Sequence, residues 1–210
     1  MNNEKIALIA CGALAREVLA IKEKHQLDVT LFCAPALLHN HPHKIPDAIR
    51  KRIRKLREQF DQLIVVYGDC GTGEMLDVML DEEGIKRIAG PHCYEMYAAE
   101  KFDILMQEEL GTFFLTDYMV RSFDHLVIER LGLDEHPELR DDYFGRYTRV
   151  VYLAQTDDAN LLHKAQRAAE SLRLPLEVRH TGYGALEQRL LELLTKKPSR
   201  SYPLRFATDA

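Results

Sequence analysis

The sequence predicts an α/β protein with a Rossmann-like, mostly parallel sheet flanked by helices. Short and nearly continuous apolar runs, such as Lys5–Ala10 and Arg149–Ala154, are typical of parallel strands that are buried on both faces. Amphipathic segments separate these runs, as in Pro46–Phe60, where apolar residues recur at helical spacing. Strands that alternate with helices in this way favour parallel pairing through right-handed crossovers.

Strands and helices alternate along most of the chain, and turn or capping residues mark several of their ends. Pro46 is a first-turn proline, Gly132 is placed to end a helix, and Asp157 is placed to cap one. The predicted strands are Lys5–Ala10, Val29–Phe32, Leu63–Tyr67, Lys86–Ala89, Thr112–Leu115, Arg149–Ala154 and Leu176–Arg179. The predicted helices are Gly12–Lys24, Pro46–Phe60, Glu74–Leu80, Tyr94–Leu110, Tyr118–Leu131, Pro137–Phe144, Ala159–Leu172 and Ala185–Leu194.

The domain organisation follows from the same alternation. We expect a single α/β domain over residues 1–195, built either as one continuous sheet or as two similar lobes over 1–110 and 111–195. The pattern leaves both arrangements open. Residues 196–210 are polar and lack periodicity, which predicts a C-terminal tail.

Composition restricts the classes of function. The 210 residues carry a formal net charge of −5, which argues against general affinity for nucleic acid. No apolar run approaches the roughly 18 residues of a membrane span, so we expect no membrane partner. The start of the chain lacks the pattern of a signal peptide, which predicts a cytoplasmic protein with reduced cysteines.

Cysteines fall where predicted strands end. Cys11 closes the first strand, Cys70 follows the third, and Cys93 follows the fourth. The carboxyl ends of parallel strands share one edge of a sheet, where open α/β folds bind ligands, so these thiols should converge. Three thiolates suit a zinc ion with an open position or an iron–sulfur cluster with one accessible iron. Thiol catalysis without metal and purely structural, buried cysteines are the alternatives.

Other polar residues are predicted at the same edge. His39 lies in the loop after the second strand, as a further ligand or an acid and base. Asp117 and Gln155 follow two strands of the second half, where they either orient a substrate or serve as turn and capping residues. Arginines and lysines concentrate on Pro46–Phe60, either as a solvated face or as a dock for an anionic partner.

The segment GDCGTG offers a second kind of site. A glycine-rich turn between a strand and a helix presents backbone N–H groups to an anion, so Gly68, Gly71, Thr72 and Gly73 are predicted to bind a cofactor. The spacing matches neither GxGxxG nor GxxxxGK[ST], so it carries no nucleotide fingerprint. The structural alternative is that the glycines turn the chain tightly and keep Cys70 near the sheet edge.

The motifs ACGAL, LLHNHP, YGDCGTG, PHCYEM and GTFFLTDYM together resemble the family called domain of unknown function 1638. The resemblance implies a one-carbon or corrinoid context, because such proteins accompany corrinoid-dependent methyl-transfer proteins. It points to Cys11, His39, Cys70 and Cys93, whereas Cys33 lies outside the motifs.

We therefore expect a metal-dependent enzyme, with zinc or an iron–sulfur cluster, that acts on a small-molecule substrate in methyl-transfer or corrinoid-linked metabolism. A corrinoid protein or a methyltransferase is the expected partner. The alternative is a non-catalytic carrier of a metal or a corrinoid for a methyltransferase system. An enzyme should keep an open coordination position with polar groups beside it, whereas a carrier can saturate its metal with protein ligands.

Overall fold

The computed structural model describes residues 4–195, so the predicted tail over 196–210 lies outside the described residues. The fold is α/β, with two separate parallel sheets flanked by helices. The predicted fold class is thus confirmed, and the strands form two sheets rather than one. No helix within 4–195 combines the length and the apolar character that a bilayer crossing requires.

The first sheet has the strand order β2-β1-β3-β4, and the second has the order β5-β6-β7, with every pair parallel. The inner strands, β1 and β3 of the first sheet and β6 of the second, are almost entirely buried, which explains their continuous apolar sequences. The strands are β1 Ile6–Cys11, β2 Val29–Ala34, β3 Gln62–Val66, β4 Lys86–Arg87, β5 Thr112–Thr116, β6 Arg149–Ala154 and β7 Leu176–His180.

The helices differ from the predicted ones mainly around the passage between the sheets. The segment predicted as one helix over Tyr94–Leu110 is broken at Ala99, whose φ of 50° lies in the left-handed region. The segment predicted over Tyr118–Leu131 is a short helix followed by a π-helix at Asp124–Ile128. The helices are α1 Ala15–Lys24, α2 Ile45–Leu56, α3 Met75–Glu83, α4 Cys93–Ala98, α5 Glu100–Glu108, α6 Asp117–Arg121, α7 Arg140–Phe144, α8 Ala159–Leu172 and α9 Gly184–Thr195.

Local caps account for some of these bounds. Helix α8 is capped by Asp158, whose carboxylate accepts from the N–H groups of Asn160 and Leu161, and not by the predicted Asp157. The basic residues of α2 face the acidic end of α3, where Arg54 and Arg57 both pair with Glu83. The basic face is therefore engaged within the fold, at least in part.

Helices α5 and α9 cross over between the two sheets. Leu105 of α5 packs with residues of the second sheet. Leu186 and Leu190 of α9 are fully buried in the core of the first sheet, although α9 follows the last strand of the second. The return is tight at Gly184, where φ is +51° and a Cβ atom would overlap the carbonyl oxygen of Tyr97. Only glycine tolerates both the positive φ and the close approach of the Tyr97 carbonyl.

Candidate functional site

Cys11, Cys70 and Cys93 all lie at the carboxyl edge of the first sheet, and we refer to these three residues as the thiol cluster. Cys11 ends β1, Cys70 lies in the loop after β3, and Cys93 begins α4. Burial raises the pKa of the Cys70 thiol to about 12, and the charge of Cys11 adds to this effect. Burial likewise raises the pKa of Cys93, with further contributions from Cys70 and Cys11. The three thiols are therefore close enough to oppose one another's ionisation.

Cys11 is the most enclosed member of the cluster. Its residue is 2% exposed, and burial raises its pKa to about 11 against the opposing hydrogen bond from the N–H of Ala13. That N–H lies 3.4 Å from the sulfur. In the absence of a cation, all three thiols are thus neutral at physiological pH, and a bound cation would have to displace their protons.

Tyr67, which directly follows β3, contributes the most unusual group at this edge. The residue is fully buried, and its hydroxyl has no hydrogen-bond partner at acceptable geometry among residues 4–195. Burial raises the pKa of this hydroxyl, and the charges of all three cluster cysteines raise it further, as does the proximity of the Cys11 thiol, which does not reach hydrogen-bond geometry. A buried, unpartnered hydroxyl costs free energy, so this one is available to a group that the protein itself does not supply.

His39 stands beside this group in the 3₁₀ turn Ala36–Asn40. Its ring stacks on that of Tyr67 with centroids 5.5 Å apart, and its Nδ1 lies 3.9 Å from the Cys11 sulfur. The same Nδ1 lies 2.8 Å from the carbonyl oxygen of Ala36. A carbonyl can only accept, so Nδ1 carries the proton and Nε2 is left with a lone pair. His39 can therefore take up a proton or act as a ligand through Nε2.

The glycine-rich loop holds Cys70 in a strained conformation. Cys70 has a φ of 50°, an uncommon value for a residue with a side chain. The loop is organised by Asp69, whose carboxylate lies 2.5 Å from the Thr72 hydroxyl and 3.2 Å from the N–H of Gly71. Despite partial burial, these and neighbouring N–H donors lower the pKa of Asp69. Several backbone N–H groups that were predicted to bind an external anion thus donate to the carboxylate of Asp69 instead.

Gly68 permits a close approach between two loops. A Cβ atom there would lie 2.9 Å from the Cα of His92, so a side chain would separate the Cys70 loop from the residue before Cys93. His92 itself caps α4 by accepting from the N–H of Glu95, and burial lowers the pKa of its ring. The ring is therefore uncharged near neutral pH and supplies no positive charge to Cys93.

Cys33 differs in orientation from the cluster. In the β1–β2 register Cys11 pairs with Ala34, and Cys33 pairs with Ala10. Successive strand residues point to opposite faces, so Cys33 faces away from the side of the sheet that Cys11 occupies. Its charge makes only a smaller contribution, after burial, to the raised pKa of Cys11.

Asp117 and Gln155 meet at the corresponding edge of the second sheet. The fully buried Asp117 carboxylate accepts from the Tyr152 hydroxyl at 2.7 Å and from the Gln155 N–H at 2.9 Å. It also lies 2.5 Å from the Thr156 hydroxyl and 3.3 Å from Arg121. The Gln155 side chain accepts in turn from the Asp117 N–H at 2.7 Å. Both residues are thus engaged in holding the ends of β5 and β6 together.

A cleft of about 230 Å³ opens next to the thiol cluster and is lined from both sheets. Cys93 and His39 line it on the side of the first sheet, and the aromatic residues Tyr94, Tyr97 and Tyr118 line it as well. Tyr67 and the three cleft tyrosines were not among the residues predicted from the sequence. Tyr67 was detectable by the same rule as the cysteines, since it directly follows a strand. The cleft tyrosines lie on helices, where the sequence gives no comparable signal.

The thiols and the His39 imidazole are not arranged as a preformed metal site in the described part of the chain. Within residues 4–195, no three His, Cys, Asp or Glu side chains lie in an arrangement that could hold a metal ion as they stand. Cysteine side chains turn about a single χ1 angle, so a rotamer change is the smallest movement that could bring the sulfurs together.

Fold and site together define a class: a two-sheet parallel α/β protein with buried thiols at the strand edge of an aromatic cleft. A family model for a protein of unknown function, DUF1638, matches residues 33–190, and the chain belongs to this family. The predicted resemblance is thereby confirmed. The match contains Cys70, Cys93 and His39, whereas Cys11 lies before it. Comparison with curated proteins finds no match.

Proposed function

We propose that the protein is a metal-dependent enzyme whose thiol cluster binds zinc or an iron–sulfur cluster and whose substrate occupies the neighbouring cleft. The observation that carries the proposal is the buried Tyr67 hydroxyl, which has no partner within residues 4–195 and interacts electrostatically with all three thiols. The one-carbon, methyl-transfer or corrinoid-linked context of the proposal comes from the family resemblance.

The chemistry of the donor set fits such a group. Three thiols and one imidazole nitrogen are soft and borderline donors, the kind that zinc and iron–sulfur clusters take. Cys11, Cys70 and Cys93 would supply the thiolates after a change of rotamer, with His39 Nε2 beside them. When bound, the metal would supply Lewis acidity at an accessible position, and it would offset the burial that now keeps the thiols protonated.

The chain's own residues have separate tasks in this proposal. His39 Nε2 accepts or returns a proton, because its Nδ1 is committed to the carbonyl of Ala36. The Tyr67 hydroxyl donates a hydrogen bond to a thiolate or to a substrate atom. The cleft tyrosines exclude water from the substrate. Asp117 and Gln155 act indirectly, since they hold the ends of the second-sheet strands in place.

Metal analysis after anaerobic purification, combined with an absorption spectrum, tests this function. We expect about one zinc ion or one cluster per chain, with Cys70→Ala and Cys93→Ala losing most of it because a site that loses one thiolate is poor. Cys33→Ala is the matched control and should keep the metal. Metal-free wild-type protein whose melting temperature does not respond to added zinc or iron, or equal losses in all three variants, would contradict the proposal.

A further inference from the structure

Among the described residues, the cleft is lined by a single permanently charged side chain, which is cationic. Arg130 lines it from the side of the second sheet, and no Asp or Glu is among the lining residues within the described part of the chain. This is notable in a chain whose formal net charge is −5. Since the field inside a cleft attracts opposite charge, a cation is disfavoured there and an anion is favoured.

Arg130 is an exposed residue, so its guanidinium is accessible to a ligand. Within residues 4–195 it makes neither an ion pair nor a side-chain hydrogen bond. Nearby arginines are engaged: Arg121, for example, lies between Glu17 and Asp117. A guanidinium offers five N–H donors in a planar fork that matches the two oxygens of a carboxylate. The cleft thus holds a carboxylate-binding group that has no carboxylate of the protein to bind.

The rest of the lining is largely apolar. Leu37, Leu126 and Met119 line the cleft together with the three tyrosines. The Tyr94 hydroxyl donates to the Met119 sulfur at 3.1 Å. Such a lining favours an apolar body, because burial of apolar surface drives binding while the few polar groups fix orientation.

We propose that the cleft binds a small monocarboxylate with an apolar body, its carboxylate held by Arg130 and its body against the tyrosine rings. The inference rests on the proposed function, in that this ligand is the substrate class of the enzyme. The part of the ligand away from the carboxylate then faces the wall formed by Cys93 and His39. Arg130 is thus the residue that determines specificity for the acid over a neutral analogue.

Matched acid and amide pairs test this inference by isothermal titration of the full-length protein. The probes are phenylacetate with phenylacetamide, and acetate as an acid without an apolar body. We expect phenylacetate to bind with a millimolar Kd and at least about tenfold more tightly than either other probe. Arg130→Gln should remove the preference for acid over amide. Arg146→Gln, at an exposed arginine before β6 and so at the opposite ends of the strands, should keep it.

The outcomes separate the two proposals. Equal binding of phenylacetate and phenylacetamide, no saturable binding of either, or a preference that survives Arg130→Gln overturns the carboxylate inference. The titration is run on metal-free protein and on protein loaded with zinc. A preference lost in Arg130→Gln but present in protein that takes up no metal supports the carboxylate site while the proposed metal function fails.

Discussion

Each of the two sheets has buried polar groups at its carboxyl edge, and the two edges differ in how these groups are hydrogen-bonded. At the second sheet, Asp117 is fully buried and its carboxylate accepts from Tyr152, Gln155 and Thr156. At the first sheet, thiols are held protonated by burial, and the buried Tyr67 hydroxyl has no hydrogen-bond partner within residues 4–195.

This difference teaches that topology alone does not mark a functional edge. Both edges follow parallel strands, and both carry polar residues in sequence. A fully satisfied network stabilises the fold and leaves no group for a ligand, whereas unsatisfied buried groups carry a cost that a ligand can remove. The two edges are distinguished by whether their buried polar groups are hydrogen-bonded, and not by their position at the ends of parallel strands.

The largest effect is expected from removing the Asp117 carboxylate at the carboxyl edge of the second sheet. Asp117→Ala should lower the free energy of unfolding by about 3–5 kcal/mol, because it leaves Arg121 and several donors without their buried partner. Urea denaturation measures this. Asp69→Ala is the comparison at the first edge and should cost about 1–3 kcal/mol, because its half-exposed loop can exchange lost contacts for water. Equal costs would remove the contrast between the edges.

Two buried tyrosines sharpen the comparison further. Tyr152→Phe should cost about 1.5–3 kcal/mol, since it deletes a 2.7 Å hydrogen bond to a buried carboxylate. Tyr67→Phe deletes a hydroxyl without a hydrogen-bond partner in the described chain, so it should change stability by less than about 0.5 kcal/mol or be stabilising. Chemical denaturation of metal-free protein gives both values. A larger cost for Tyr67→Phe than for Tyr152→Phe would reverse the assignment.

Alkaline pH should weaken the first edge. In the unfolded chain a thiol ionises near its usual pKa of about 8.5, whereas burial raises the pKa of Cys11 to about 11 in the fold. The contribution of the Cys11 thiol to the free energy of unfolding is therefore fully present below about pH 8.5. It falls as the pH rises toward 11, by up to about 1.4 kcal/mol per pH unit. Comparison of wild type with Cys11→Ser between pH 8 and 11 isolates the effect. Parallel pH curves would show that Cys11 does not contribute.

A further small effect is expected at Glu17, which links α1 to α6. Its Oε1 lies 3.5 Å from Arg121, whereas its buried Oε2 has no hydrogen-bond partner within 4–195. Burial raises the pKa of this carboxyl, so the folded state takes up its proton first as pH falls. Glu17→Gln should change stability at pH 7 by less than about 1 kcal/mol. Wild type should gain relative to the variant as the pH falls toward the usual glutamate pKa of about 4.3; an unchanged difference would contradict this.

The fold was largely predictable because the strands are apolar and short. The near-continuous run over β1 and the alternation with helices such as α2 identify parallel strands by residue type alone. The division into two sheets was not predictable, because hydrogen bonding between strands distant in sequence leaves no local pattern. The break at Ala99 was also hidden, since alanine favours helix and a positive φ at alanine has no signal in the local sequence.

The candidate site was predictable in part. The rule that strand ends share an edge placed Cys11, Cys70 and Cys93 together, and it would equally have included Tyr67. The same rule could not distinguish Asp117 as a satisfied anchor, because hydrogen-bond satisfaction depends on partners such as Tyr152, 35 residues away. Arg130 carries no sequence signal, since its significance comes from the absence of acidic neighbours in the cleft.

The return of α9 to the first sheet has a consequence for the order of biosynthesis. The strands of the first sheet are complete once residue 87 has been made, yet their core lacks Leu186 and Leu190 until α9 has been synthesised about 100 residues later. Since chains are made from the amino terminus and tend to fold as units emerge, the core of this sheet is completed only after the strands of the second sheet have been made. A chain truncated before α9 therefore lacks part of the core that supports the thiol cluster.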